Sequence, residues 1–191
     1  MNTKPVFAVI MLICLGGCAS GGATFSSKIN AENMIPIKKL FFLTNAKNKY
    51  FNETLNAGFE TSLKQNLDTC GVDALIYQYD KMDLDFKANL KKSMDEYAPD
   101  ALMTMRSNGG NVVTGSGGNS GTLYFDLHIV DAQTQKVIWI SRLGYRFLTA
   151  NMFSSDRASG ERLGDELYNR LVTDGILQGC QLKAGKSKAR S

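Results

Sequence analysis

The chain has 191 residues, of which 43% are hydrophobic and 21% charged, a usage that fits one globular domain with a sizeable core and excludes disorder throughout. Its formal charge of +4 is concentrated at the C-terminus, where Lys183, Lys186, Lys188 and Arg190 stand without an acid. The body is left near neutral, which excludes the basic domain patch of a nucleic-acid binder.

In chain order, the first feature is Lys4 beside the terminal amine, followed by the apolar run PVFAVIMLICL and then by small residues. This is the layout of a secretory signal peptide. A permanent membrane span needs about 20 apolar residues, and this run is too short. It closes on Leu15, Gly16, Gly17 and Cys18, and these four positions resemble the lipobox of bacterial lipoproteins. The resemblance implies a diacylglyceryl group on the Cys18 sulfur, removal of residues 1–17, and acylation of the new amine by a fatty acid such as palmitate. Each buried methylene contributes roughly 0.8 kcal/mol, so two or more chains anchor stably where one does not. Ala19 and Ser20 after the cysteine, with no aspartate at the second position, imply by the same resemblance the outer membrane, with the domain facing the periplasm.

Residues 18–34 read as a lipidated flexible tether, ASGGATFSSKINAENM after the cysteine. Such a linker has a root-mean-square span of roughly 20 to 25 Å. The globular domain is expected over 35–180 and a basic disordered tail over 181–191.

IPIKKLFFLTNA begins with a proline and is dense in apolar residues, predicting a buried strand. Phe51, Leu55, Phe59, Leu63 and Leu67 then recur every four residues, predicting an amphipathic helix that Gly71 ends. VDALIYQYD predicts a second strand. Phe86, Leu90, Met94 and Tyr97 repeat the helical spacing, with Asp85 near the start and Pro99 beyond the end. ALMTMRS resumes strand, so the first three strands are expected parallel with right-handed crossovers. NGG at 108–110 predicts a hairpin turn before a short strand NVVT, and GSGGNSG at 115–121 a glycine-rich loop. TLYFDLHIVD and VIWISRLGYRF predict an antiparallel pair. A loop over 151–159 precedes a last helix with Leu163, Leu167 and Leu171 inside, where Gly160 and Gly164 permit close packing. The expected class is α/β: a single domain, a mixed sheet of five or six strands and three helices, in the order β-α-β-α-β-β-β-β-α.

Four cysteines become two once Cys14 leaves with the leader and Cys18 is modified. Cys70 and Cys180 both follow predicted helices, and in an oxidising compartment they are expected to form a disulfide joining those helix ends. A zinc site is the competing reading, but one histidine and no CxxC spacing give it little to work with. GSGGNSG lacks the GK[ST] ending of a phosphate-binding loop. His128 falls on the polar face of its strand with no second histidine. Asp83 with Asp85, and Asp95 with Glu96, read as helix solvation and capping, and Met103 and Met105 as core. No catalytic, metal or cofactor constellation is expected.

The hairpin FDLHIVDAQTQKVIWISRL, with its Asp-rich turn, Thr134 and Trp139, resembles the closing hairpin of small envelope lipoproteins of the TolB amino-terminal-like, curli-secretion or penicillin-binding-protein-activator fold. That resemblance implies a domain that binds another envelope protein or assembles, and carries no active site. The expectation is a non-enzymatic interaction or envelope-assembly factor held to the membrane by lipid. The alternative is binding of a small amphiphile, a glycan or lipopolysaccharide beside the glycine-rich loop. A secretion-ring subunit ranks below both, because the 108–121 segment offers no strands of membrane-spanning length.

Overall fold

The computed structural model describes residues 22–45, 51–78, 84–115, 118–149 and 157–183. The leader, the cleavage motif with Cys18, and the tail beyond Lys183 lie outside the described residues.

The described chain runs β1 (Ala23–Ile29), a 3-10 turn at Ala31–Asn33, β2 (Lys39–Asn45), α1 (Glu53–Thr69), β3 (Asp73–Gln78), α2 (Phe86–Tyr97), β4 (Ala101–Gly115), β5 (Gly118–Asp131), β6 (Val137–Thr149) and α3 (Arg157–Thr173). All six strands join one mixed sheet in the order β1-β6-β5-β4-β2-β3. The class, the strand number and the helix number are those expected from the sequence. β2 is parallel to both β3 and β4, as the alternation of strands and helices requires. The crossover through α1 leads outward to β3, and the one through α2 returns to β4. Connections of one hand therefore put the two helices on opposite faces.

The core lies between the sheet and the pair α1–α3. Phe51, Leu55, Phe59, Leu63 and Leu67 are all fully buried, as are Leu167 and Leu171 of α3 and Trp139 in β6. Phe51 packs edge-on against Phe59 and Phe125, with centroids 6.0 and 5.2 Å apart, the geometry aromatic quadrupoles favour. The two helices touch backbone to backbone through glycine. A Cβ at Gly160 would lie 2.0 Å from the Leu55 carbonyl oxygen, and one at Gly58 would lie 2.2 Å from that of Arg157. Asn52 caps α1 by accepting the Leu55 N–H at 3.0 Å, satisfying one of its orphan donors.

Four local expectations are corrected. The segment read as tether is not free: Ala23–Ile29 forms β1, paired antiparallel with β6 from Ala23↔Tyr145 to Ile29↔Trp139. Side chains hold it there. Glu166 accepts the Ala23 N–H at 2.7 Å, and Asp174 accepts from the Ser27 hydroxyl at 2.6 Å and from the Trp139 indole N–H at 2.7 Å. The sixth strand is thus at the N-terminus, because NGG at 108–110 does not turn the chain. It forms a bulge inside a continuous β4, with a register shift between Ser107 and Gly110 and Gly109 at φ 77°, a conformation glycine adopts without penalty. The described part of GSGGNSG is strand: Gly115 pairs with Gly118, and Asn119, Ser120 and Gly121 continue β5. Finally, the first residues of the basic tail are packed. Tyr168 donates to the Gln181 carbonyl at 3.0 Å, and Lys183 reaches Asp165 at 2.7 Å.

Cys70, at the C-cap of α1, is bonded to Cys180, with Cα atoms 5.4 Å apart. The bond joins the end of α1 to the segment after α3.

Candidate interaction face

One face of the sheet carries α1 and α3. Among the described residues the other carries only α2, whose aromatic contacts fall on the β2–β3 margin. Phe41 meets Tyr77 at 5.8 Å and Tyr97 at 6.2 Å, and Tyr77 meets Phe86 at 6.3 Å. No residue of α2 is fully buried, so the stripe Phe86, Leu90, Met94 and Tyr97 is half-covered surface and not core. Over β4, β5, β6 and β1 no helix covers this face among the described residues.

Strand alternation decides what stands there. Leu123, Phe125, Leu127 and Ile129 of β5 point into the core, so Thr122, Tyr124, Asp126, His128 and Val130 point outward. Cross-strand register orders these into rows. Arg106, Asp126, Arg142 and Ser26 form one, and Thr104, His128, Ile140 and Lys28 the next. Asp126 is gripped at both oxygens: Arg142 Nε donates at 3.0 Å and Asn108 Nδ2 at 2.6 Å. Arg106, Arg142, Arg146, His128 and Lys28 are exposed. Against Arg106, Arg142, Arg146 and Lys28 stands one outward carboxylate among the described residues of these strands, that of Asp126, so the face is cationic.

Tyr124 lies half-buried beside Gly144, its partner on β6. A Cβ at Gly144 would sit 3.5 Å from the Tyr124 ring and 2.8 Å from the Thr24 hydroxyl. The missing side chain makes room for an aromatic plate, a known remedy for glycine in a sheet. Ile140, 36% exposed, adds an apolar spot two rows away, on the far side of the Arg106–Asp126–Arg142 row. Arginine and tyrosine are among the residue types enriched as anchors of protein interfaces.

The remaining polar clusters are structural. Asp165 accepts from Ser62, from Asn66 at 2.8 Å and from Lys183 at 2.7 Å. Burial pushes its carboxyl up, but these hydrogen bonds and the Lys183 charge outweigh that and hold it below the usual carboxylate range. Asp131 stays low because the backbone N–H groups of Thr134 and Gln133 donate to its carboxylate, against some burial, and the Lys136 charge lies nearby. This fixes the β5–β6 turn. Burial raises the Glu166 carboxyl despite its bond to Ala23.

Of the residues singled out in the sequence, Cys70 and Cys180 are together, His128 is exposed on the open face between Thr104 and Ile140, and Met103 and Met105 are fully buried. Leu15, Gly16, Gly17 and Cys18 lie outside the described residues. No group of three or more metal-ligating side chains occurs among the described residues, and no helix there is long and apolar enough to cross a membrane. The Arg106–Asp126–Arg142 row was not read from the sequence. Its signal was the polar half of the alternation in FDLHIVD, legible only once β4 and β6 are placed on either side.

No protein-family model matches the sequence, and no curated protein is significantly similar to it. Among solved structures, a PelC point-variant dodecamer from Paraburkholderia phytofirmans is 12% identical, covering 84% of this chain and 100% of that one, with a TM-score of 0.47. Lipoprotein GNA1162 from Neisseria meningitidis is 14% identical over 71% of this chain and 98% of that one, at a TM-score of 0.43. TolB from Acinetobacter baumannii is 14% identical over 81% of this chain and 32% of that one, at 0.30. With TM-scores below 0.5, these likenesses decide nothing about what this chain does.

Proposed function

We propose that this chain is a lipid-anchored lipoprotein of the outer membrane, facing the periplasm, whose open sheet face binds another envelope protein without catalysing a reaction. The leader and the Leu15-Gly16-Gly17-Cys18 motif support the anchor. The uncovered face over β4, β5, β6 and β1, with its arginine row and Tyr124 plate, carries the binding role. A partner fitted to that face presents carboxylates opposite Arg106 and Arg146 and separate apolar side chains opposite Tyr124 and Ile140.

A photo-crosslinking amino acid at Thr104, in cells making the full-length protein, tests this reading. It is expected to trap one discrete envelope protein, and a like probe at exposed Glu161 on α3 is not. Equal, diffuse labelling at both positions overturns the binding role. A hydrolase or transferase activity abolished by one side-chain substitution overturns the non-enzymatic reading.

A further inference from the structure

The strand that replaces the expected tether changes how this protein meets its membrane. Of residues 18–34, only Cys18 to Gly22 precede β1. The chain leaves the sheet at a fixed place: Gly22 accepts the Arg146 N–H at 3.0 Å, and Glu166 accepts the Ala23 N–H at 2.7 Å. In register, Ala23 is level with Tyr145, Leu123 and Gly110. From that level β4 and β5 continue onward together, to Gly115 paired with Gly118. The exit of the N-terminus and this ribbon are therefore at the same end of the sheet, and both point away from the core.

Their lengths agree. Five steps of extended chain, from Ala23 back to Cys18, reach about 17 Å. The five steps of strand from Gly110 to Gly115 project about 17 Å in the same direction. A bilayer that receives acyl chains at Cys18 can stand no farther from Ala23 than the ribbon already extends.

The ribbon is also built unlike the rest of the surface. No Asp, Glu, Lys or Arg occurs from Ser107 to Phe125, or from Phe147 to Ser155 on the adjoining strand and beyond, in a chain that is 21% charged. Val113 is 68% exposed. The glycines keep the ribbon thin: a Cβ at Gly121 would lie 2.1 Å from the Asn111 carbonyl oxygen. The opposite end of the sheet carries Lys28, Glu32, Lys38, Lys39, Asp73 and Lys136, all exposed. The cost of an ionised side chain rises steeply with depth below the headgroups, so an uncharged ribbon with an aliphatic side chain can settle into the interface without that cost, as the apolar faces of interfacial segments do.

From this juxtaposition we infer that the described strands of the β4–β5 ribbon, Asn111 to Gly115 and Gly118 to Ser120, rest on the lipid surface as a second, non-covalent foot, with the Val113 side chain in the headgroup region. The inference rests on the lipid anchor proposed above. Two points of contact on one end fix the sheet upright. The charged end then points into the periplasm, and the cationic face stands perpendicular to the membrane, open to a partner from the side.

The test uses the full-length, acylated protein carrying Val113→Cys or, at the far turn, Gln133→Cys, each labelled with a polarity-sensitive fluorophore. Both positions are exposed, and Cys70 and Cys180 are bonded to each other. The protein is reconstituted in vesicles of phosphatidylethanolamine and phosphatidylglycerol, with flotation and intact mass measured on the same sample. The probe at Val113 is expected to shift to the blue and lose half its emission or more to lipids brominated near the headgroup, while the probe at Gln133 stays open to aqueous iodide. Floating, acylated protein with equal iodide quenching at both sites overturns the second foot alone. Shielding of Val113 without quenching by brominated lipid puts a second chain there and also overturns it. Protein that neither floats nor carries acyl groups overturns the foot and the anchor together.

Discussion

Replacing Gly160 with alanine puts the packing of α1 against α3 to a quantitative test. The new Cβ would lie 2.0 Å from the Leu55 carbonyl oxygen and 2.8 Å from the Phe59 amide nitrogen. Both are backbone atoms of a helix, so neither can swing aside. An ordinary contact of about 3.4 Å is restored only if the helices part by more than an ångström, which opens the closely packed layer of Leu55, Phe59, Leu163 and Leu167. Overpacking of this kind costs about 1 to 3 kcal/mol, and a backbone clash belongs at the upper end. Alanine returns about 1 kcal/mol through its helix propensity. The net loss is about 2 kcal/mol, or a Tm lowered by roughly 4 to 8 °C for a domain of this size. Circular dichroism of the purified full-length protein in detergent reads that shift directly. An unchanged or raised Tm would refute the reasoning, because propensity alone would then be deciding the outcome.

Reducing the Cys70–Cys180 bond, which closes a separation of 110 residues, is expected to lower stability by at most about 5 kcal/mol in the chain-entropy account; an unmoved urea midpoint in reductant counts against it. Asp174→Ala removes the acceptor shared by Ser27, Trp139 and Arg170 and is expected to cost about 2 to 3 kcal/mol. Trp139 emission should move to the red and amide exchange in β1 should quicken, whereas a wild-type spectrum would show that the strand is held some other way. The Asp165 carboxyl is held below its ordinary value, so its contribution is complete above the unfolded pKa of about 3.9 and is lost as pH falls from there through the folded value. Asp165→Asn should therefore flatten the acid limb of stability against pH, and an acid limb as steep as the wild type's would contradict the assigned network.

How much of this was legible in the sequence depended on how local each signal was. The four-residue recurrence of Phe51 to Leu67 specifies a buried helix by itself, and the alternation in TLYFDLHIVD specifies a half-covered strand. β1 gave no such signal. In ATFSSKI only the face with Phe25 is partly covered, and the strand owes its place to register with β6 and to contacts with Glu166 and Asp174, more than a hundred residues away. NGG misled because a φ of 77° at Gly109 serves a bulge as well as a turn. The helical spacing of Phe86 to Tyr97 was correctly placed, but it could not show that α2 covers only β2 and β3. The open face exists because of that limited cover, so it belongs to the tertiary arrangement and not to any one segment.

Intact-mass spectrometry of the protein purified from the membranes of a bacterium that makes it tests the lipid anchor most directly. The account predicts a chain that begins at Cys18, with a diacylglyceryl group on the sulfur and a fatty acid on the new amine. A chain retaining Leu15, Gly16 and Gly17, or a free thiol at Cys18, would contradict it.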